Sequence, residues 1–503
     1  MNKFFILSLD QGTTGSRAFL FDSKGAIVAS AYQEFPQYYP RPGWVEHDAQ
    51  EIWESCVSVI RQSIRKAGIR PFQIAAIGIT NQRETTVLWD RQSGIPLARA
   101  VVWQCRRSVS ICERLRKQRY EPLFGRKTGL VLDPYFSGTK IKWLLDHDLK
   151  IRRRAAAGKV AFGTIDSWLI WKLTGGRAHV TDFTNASRTL IFDIQKRRWD
   201  LELLKILNIP LDLLPQVQFS GSVFGKTVRI AGLSEGIPIT AVLGDQQAAL
   251  YGQGCYTPGS VKNTYGTGCF MMLNTGDQLI RSRQGLLSTI AADGQGRPVY
   301  ALEGAVFIAG ALMQWLRDEL QVIKRAADSQ AIAVGLTDTL GVYFVPAFTG
   351  LGAPYWDPQA RGIITGLTRG ANVNHVIRAA LESIAYQTRD VFALMQKEYG
   401  RKVSELRVDG GASNNDFLMQ FQADILSCEI LRPRMVETTA QGAALLAGVT
   451  MGLWSANKDL MRLQKIGRIF KPCMKIQERE RLYSGWLHAV AQARYLHHEK
   501  SHD

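Results

Sequence analysis

The sequence predicts an α/β protein built as two domains, residues 1–250 and 251–503. Three observations carry that prediction. Apolar runs of strand length alternate with segments that are apolar at helical spacing, the pattern of sheets covered by helices. Three of the runs end in Gly-rich polar turns, at residues 10–17, 265–268 and 409–411. The alternation also starts afresh beyond Gly254, in a chain of 503 residues that is too long for one simple core.

The first turn follows the compact apolar run Phe5-Ile6-Leu7-Ser8-Leu9. The chain continues Asp10-Gln11-Gly12-Thr13-Thr14-Gly15-Ser16-Arg17 before Ala18-Phe19-Leu20-Phe21 resumes the run, so a β-hairpin is expected. A tight turn of glycines and hydroxyl residues exposes backbone N–H groups that can cradle phosphate oxygens. Asp10 at the strand end can hold Mg²⁺, directly or through water, and Arg17 can face a phosphate. An ordinary hairpin with a polar turn is the competing reading of this stretch alone.

Residues 26–29 give a further strand. Asp48 is placed as an N-cap with Glu51 three residues on, a capping box, and the helix runs to about Lys66. Residues 74–80 are apolar without interruption, as in a strand buried on both faces. The exit, Asn81-Gln82-Arg83-Glu84-Thr85-Thr86, gathers polar groups beyond the strand's carboxyl end, where open α/β sheets place ligands. In a regular strand Arg83 and Glu84 point to opposite faces. Either the chain turns there and both serve one pocket, or they form a neutral surface ion pair, the reading these two residues favour by themselves. Trp103, at the end of another strand, and Tyr135, in a loop entering a helix, are core aromatics or pocket walls. Residues 167–173 read as a helix stopped by Gly175-Gly176.

The strand at 238–243 leads into Gly244-Asp245-Gln246-Gln247, which places Asp245 at a strand-to-helix junction, where Asp is also a favoured N-cap. In the second half, residues 261–273 form another strand, Gly/Thr turn and strand. A helix through Gly310, Gln314 and Trp315, a strand at 342–346, a rigid loop at 352–358 and a helix at 379–395 follow. Residues 405–415 repeat the formula of strand, Asp, Gly-Gly and helix start, and Gly-Gly lets backbone approach a flat or phosphorylated ligand closely. Together the three turns point to a nucleotide lying between the two domains.

Composition removes several other classes. With 46% apolar and 21% charged residues the chain is an ordinary globular one. Its most apolar helix candidate, residues 441–449, is short and Ala-rich, a buried core helix rather than a membrane span, so no stable membrane insertion is expected. Met1-Asn2-Lys3 leads straight into the first strand and leaves no room for a signal peptide. Seven scattered cysteines without a Cys-x-x-Cys give no zinc or disulfide framework and fit a reducing cytoplasm. The net charge of +18 favours anionic ligands. The basic runs are short, dispersed and without interleaved aromatics, so a solvated basic surface is expected and no nucleic-acid partner.

With these residues in hand, the sequence resembles the FGGY carbohydrate kinases, the sugar-kinase branch of the actin-like (ribonuclease H-like) ATPase fold, from Ile6 to about Trp486. Both family signature regions, residues 135–147 and 362–382, are recognisable. Residues 81–85, 103–107, 133–140, 244–249 and 263–270 are similar to the members that phosphorylate glycerol. The resemblance implies two actin-like domains with an interdomain active-site cleft, ATP and Mg²⁺, and the reaction ATP + glycerol → ADP + sn-glycerol 3-phosphate in glycerol catabolism. By the same resemblance Arg83, Glu84, Tyr135, Asp245 and Gln246 hydrogen-bond the polyol while Trp103 and Phe270 flank its carbon chain. Thr13, Thr14, Gly15 and Arg17 serve phosphates, and Thr267, Gly310, Gln314, Gly411 and Asn415 line the rest of the nucleotide path. Asp10 is the metal residue, and Asp245 is the general base that takes the hydroxyl proton. A cytoplasmic homo-oligomer, dimer or tetramer, is implied as well.

Two regulatory features of parts of the family look absent. Residues 229–236 lack the Gly/basic pattern of a loop that binds fructose 1,6-bisphosphate, and no histidine available for phosphorylation lies between His179 and His375. The alternatives are another FGGY kinase, for xylulose or gluconate, and an actin-like assembly or chaperone protein. The latter has no reason to keep Arg83, Glu84, Trp103 and Tyr135 together.

Overall fold

The computed structural model describes residues 4–357, 359–456 and 458–498; the start at residues 1–3, read above for a leader, lies outside them. The first half is organised on a sheet whose strands β1 (Phe5–Gln11), β2 (Gly15–Phe21) and β3 (Ile27–Glu34) form an antiparallel meander. Helix α1 (Ala49–Ala67) follows, then β4 (Ile74–Asn81) pairs parallel with β1, and β5 (Pro238–Gly244) pairs parallel with β4. Strands β1 and β4 are buried almost throughout, as uninterrupted apolar runs require. Asp48 caps α1 by accepting from the N–H groups of Gln50 and Glu51, but the expected box does not close. Glu51 instead accepts the Tyr38 hydroxyl at 2.7 Å.

Helix α2 (Asp245–Gly252) leads into a second sheet that repeats the order of the first. Strands β6 (Val261–Tyr265) and β7 (Cys269–Gly276) are an antiparallel hairpin; after β8 (Leu287–Ala291), β9 (Val299–Val306) pairs with β7. Past helices α3 (Gly310–Asp318) and α4 (Val373–Tyr399), β10 (Glu405–Asp409) returns parallel to β6. Helix α5 (Asp416–Leu426), β11 (Glu429–Pro433), helix α6 (Thr438–Thr450) and the edge strand β12 (Ile466–Phe470) complete this half. The sequence β9-β7-β6-β10-β11 thus mirrors β3-β2-β1-β4-β5, with identical strand directions.

Helix α6 binds the halves together. It contains the apolar run 441–449 and is a buried helix, as expected, but it packs on β1, β4 and β5 of the first sheet and crosses α2. Ile6, Phe19, Leu243 and Ala248 share one core cluster with Ala440, Ala443 and Leu446. The crossing depends on missing side chains: a Cβ on Gly252 would meet the Thr438 carbonyl oxygen at 1.9 Å, and one on Gly442 the Ala248 carbonyl oxygen at 1.9 Å. Among the described residues no helix is long and apolar enough to cross a membrane.

Candidate active site

The carboxyl ends of β1, β4 and β5 lie side by side, with Asp10 opposite Thr80 and Asn81 opposite Gly244. The β1–β2 turn closes through the Gly12 N–H on the Gly15 carbonyl at 2.9 Å. Thr13 Oγ1 accepts from Trp103 Nε1 at 2.9 Å, so the phosphate turn and the expected polyol wall touch. Arg17, on β2, reaches across to the second half and donates to Glu437 Oε2 at 2.8 Å; Glu437 is the residue that precedes α6.

Arg83 and Glu84 are not a surface pair. Their residues are 3% and 1% exposed, and Glu84 adopts φ +62°. That left-handed turn ends the alternation of a strand and brings both side chains into one buried site. Ser137 Oγ and Thr86 Oγ1 donate to the Glu84 carbonyl at 3.0 and 3.2 Å and hold the turn. Arg83 donates through Nη1 and Nη2 to Glu303, at 2.6 and 3.0 Å, and Arg188 joins Glu303 (3.0 Å) to Glu84 (2.6 Å). Burial alone would raise the Glu303 carboxyl, but the charges of Arg188 and Arg83 outweigh it and carry it down to about 2. Tyr135 packs edge-on against Trp103 with centroids 5.5 Å apart, and burial pushes its phenol up.

Asp245 is the first residue of α2 rather than its cap. Gly244 is the cap, its N–H held by Thr184 Oγ1 at 2.8 Å. The Asp245 carboxylate lies 3.2 Å from Arg83 Nε through Oδ1 and accepts from the Gln246 backbone N–H (2.7 Å) and side-chain Nε2 (3.3 Å). Its side chain is 33% exposed, whereas Arg83, Glu84 and Glu303 are sealed. Asp10 lies near it in buried surroundings. Burial raises its carboxyl to about 7 against the pull of Arg17, and the charges of Asp245 and Glu437 add to the rise. Negative charge therefore gathers where a hard divalent cation fits, since Mg²⁺ takes one or two carboxylates plus phosphate oxygens. No cage of three or more His, Cys, Asp or Glu groups exists among the described residues.

The other two turns meet each other. Gly266 and Thr267 carbonyls accept from the N–H groups of Gly310 and Ala311 at the start of α3, at 3.0 and 3.1 Å. Gly410 (φ +83°) lies so close to the β6–β7 turn that a Cβ would sit 2.5 Å from the Tyr265 carbonyl oxygen. Gly411 faces open space. Gln314 is exposed one turn into α3, and Asn415 caps α5 by accepting the Leu418 N–H at 3.0 Å.

Models of the N-terminal and C-terminal domains of the FGGY family of carbohydrate kinases match residues 5–252 and 261–451. The chain belongs to that family. Similar full-length FGGY relatives include glycerol kinase of Shewanella amazonensis, 57% identical over 493 residues that cover 98% of this chain and 99% of the relative. Glycerol kinase 2 of Thermotoga maritima is 56% identical over 490 residues, 97% of this chain and 98% of the relative. The crystal structure of Plasmodium falciparum glycerol kinase with ADP superposes with a TM-score of 0.92 at 36% identity, covering 98% of each chain. Gluconate kinase from Lactobacillus acidophilus, at 23% identity and a TM-score of 0.87, shares the fold.

In this FGGY kinase the expected polyol residues Arg83, Glu84, Trp103, Tyr135, Asp245 and Gln246 form a connected group, and Phe270 is tied to it through its carbonyl. Glu303, Arg188, Lys262 and Glu437 are missing from the sequence reading. Glu303 carried a signal, as the one charged residue in the otherwise apolar strand Val-Tyr-Ala-Leu-Glu-Gly-Ala-Val. A buried charge demands a partner.

Proposed function

We propose that this FGGY kinase transfers the γ-phosphoryl group of ATP to a terminal hydroxyl of glycerol, giving ADP and sn-glycerol 3-phosphate in glycerol catabolism. The observation that carries the reading is the set of fixed donors and acceptors on Arg83, Glu84, Asp245 and Gln246 beside the Trp103–Tyr135 wall. Glycerol is hydroxyls on a short apolar chain and needs that combination. A substrate lacking one hydroxyl leaves a buried polar group unpaired, at substantial cost. Full-length likeness to glycerol kinases supports the choice over xylulose or gluconate.

Asp245 offers the accessible carboxylate of the site and accepts the hydroxyl proton as phosphoryl transfer proceeds in line. Arg83 Nε and the Gln246 amide hold its oxygens in place. A loose transition state asks little activation of the nucleophile, so a weakly basic carboxylate suffices. Arg17 leaves Glu437 to offset the charge on the phosphates, which the N–H groups of Thr13, Thr14 and Gly15 receive. Thr267, Gly310, Gln314, Gly411 and Asn415 line the nucleotide path. Asp10 would hold Mg²⁺, which supplies charge neutralisation to the phosphate oxygens. Closure of the two halves would exclude water and limit ATP hydrolysis. The same reading includes a division of the chain near residue 250 and a cytoplasmic homo-oligomer.

The test is ADP release coupled to a colour reaction, with glycerol present and absent, and with xylulose and gluconate as rivals. Glycerol-dependent release is expected. Release that depends on a sugar instead, or on no acceptor at all, would overturn the proposal.

A further inference from the structure

Lys262 lies on β6, in the second half of the chain, and its ammonium is fully buried behind the acceptor site. Its three N–H bonds end on Gln246 Oε1 (2.5 Å), Thr264 Oγ1 (2.9 Å) and the Phe270 carbonyl (3.1 Å). All three are neutral oxygens, and they use the whole donor capacity of an ammonium. An ammonium only donates, so it must meet the oxygen of the Gln246 amide and never the nitrogen. The nitrogen is thereby turned toward Asp245, where it lies 3.3 Å from Oδ2. Flipping the amide would set two donors against each other and an oxygen against a carboxylate, losing both contacts at once. Burial draws the Lys262 ammonium down to about 8, and the charges of Asp409 and Asp245 oppose the fall. A cation is thus kept in a place that penalises it, with one hydrogen bond to Gln246 and another to the backbone of Phe270.

We propose that Lys262 is a positioning residue for the phosphoryl transfer: it fixes the Gln246 amide, and through that amide the accessible edge of Asp245, from the opposite half of the molecule. The inference rests on the reading that Asp245 and Gln246 receive glycerol. Nothing in the chemistry assigns Lys262 a contact with either substrate, since none of its N–H groups is left over.

The experiment is a double-mutant cycle in the full-length enzyme, with K262M, Q246A and the pair, assayed for glycerol-dependent ADP release while glycerol and ATP are varied separately. K262M is expected to raise the glycerol KM about 10- to 100-fold, the loss of a charge-assisted hydrogen bond, while the ATP KM moves by less than about threefold. The double variant should be no worse than Q246A, because both changes remove one shared interaction. Full additivity, or an unchanged glycerol KM in K262M, overturns the inference. Q246E keeps the partner of Lys262 but presents an oxygen to Asp245, so it should impair glycerol use as Q246A does even if K262M fails to fold. A normal glycerol KM in Q246E overturns the inference too. If Q246A and Q246E are both silent, the placement of Gln246 at the acceptor falls and takes the inference with it; if both impair and K262M does not, only the role of Lys262 falls.

Discussion

Arg83 and Glu303, 220 residues apart in sequence, share a two-pronged ion pair in which both guanidinium Nη atoms reach one carboxylate, at 2.6 and 3.0 Å. The pair is sealed from solvent and joins the end of β4 to β9 of the other half. Removing one partner of a buried pair leaves the other charge uncompensated, typically at about 3–5 kcal/mol. Glu303→Ala takes the shared carboxylate from Arg83 and Arg188 and leaves them only the carboxylates of Asp245 and Glu84, so urea unfolding should show a loss of that order. The carboxyl sits near 2 when folded, below its ordinary value of 4.5. Its stabilising contribution is therefore present above pH 4.5 and lost as pH falls toward 2. E303Q should lack that acid-side decline, and a loss below about 1 kcal/mol in E303A would contradict the assignment.

Asp245→Asn keeps the shape of the site and the contact with Arg83's neighbourhood but removes the proton acceptor. Glycerol-dependent turnover should fall about 10²- to 10⁴-fold, the usual worth of a general base, while ADP still binds by calorimetry. Near-normal turnover would remove Asp245 from that role.

Arg17 of the first half and Glu437 of the second meet at 2.8 Å with side chains 44% and 40% exposed. Exposed pairs contribute roughly 0–1 kcal/mol, weak enough for a phosphate to displace. Glu437→Gln should leave the melting midpoint almost unchanged and tighten inorganic tripolyphosphate binding a few-fold at low salt, an advantage that fades as salt screens it. Arg17→Ala should weaken the same binding. Weaker binding in E437Q would show that the glutamate assists the phosphates rather than competing for Arg17.

The strands and turns were legible because each half writes its sheet in local pattern: β1, β4 and β5 are apolar runs with clear ends. The three glycine turns stood out for the same reason. Two things were not legible. Helix α6 reads correctly as a buried helix, but nothing local tells it to lie on the other half's sheet, since its apolar faces fit either. The Arg83–Glu84 pair read as a surface feature because a strand alternates sides; only the positive φ of Glu84, held by neighbouring Thr86 and by Ser137 from 53 residues away, overrides that. Arg188 and Glu303 take their place from partners more than 100 residues away, and Lys262, whose partners Gln246, Thr264 and Phe270 lie within 16 residues, carries no motif.

Asp166 predicts a pH dependence of opposite sign to Glu303. It lies at the start of the helix Ile165–Leu173, fully buried, accepting from the hydroxyls of Thr164 and Thr181. Burial, with the charge of Asp182 adding, raises its carboxyl from 3.8 to about 7. The folded state then binds the proton more tightly than the unfolded one, so this contribution is full below pH 3.8 and is lost as pH rises through 7. Asp166→Asn should gain on the wild type across that window, by at most about 1.4 kcal/mol per pH unit, and the difference should level off at higher pH. Asp10 titrates with the same sign, so the slope should shrink rather than vanish. Parallel pH profiles in urea unfolding would refute it.

The crossing of α2 and α6 gives a prediction in which two opposing effects differ in size. Alanine is a better helix former than glycine by about 1 kcal/mol, so a Gly→Ala change inside a helix normally stabilises. Gly125, in the helix Glu121–Thr128, behaves that way by geometry: its added Cβ would meet only the Leu130 carbonyl oxygen, at 3.7 Å. At Gly442 the added Cβ would lie 1.9 Å from the Ala248 carbonyl oxygen and 2.9 Å from the Gly252 nitrogen. Backbone cannot swing aside as a side chain can, so the helices must separate, and overpacking of this kind costs about 1–3 kcal/mol or more. Gly442→Ala should therefore lower the unfolding free energy while Gly125→Ala leaves it unchanged or raises it. Because α6 belongs to the second half and lies on the first half's sheet, the G442A defect should also raise amide exchange in β1 and β4. A stabilised G442A would mean that the two helices do not cross in contact.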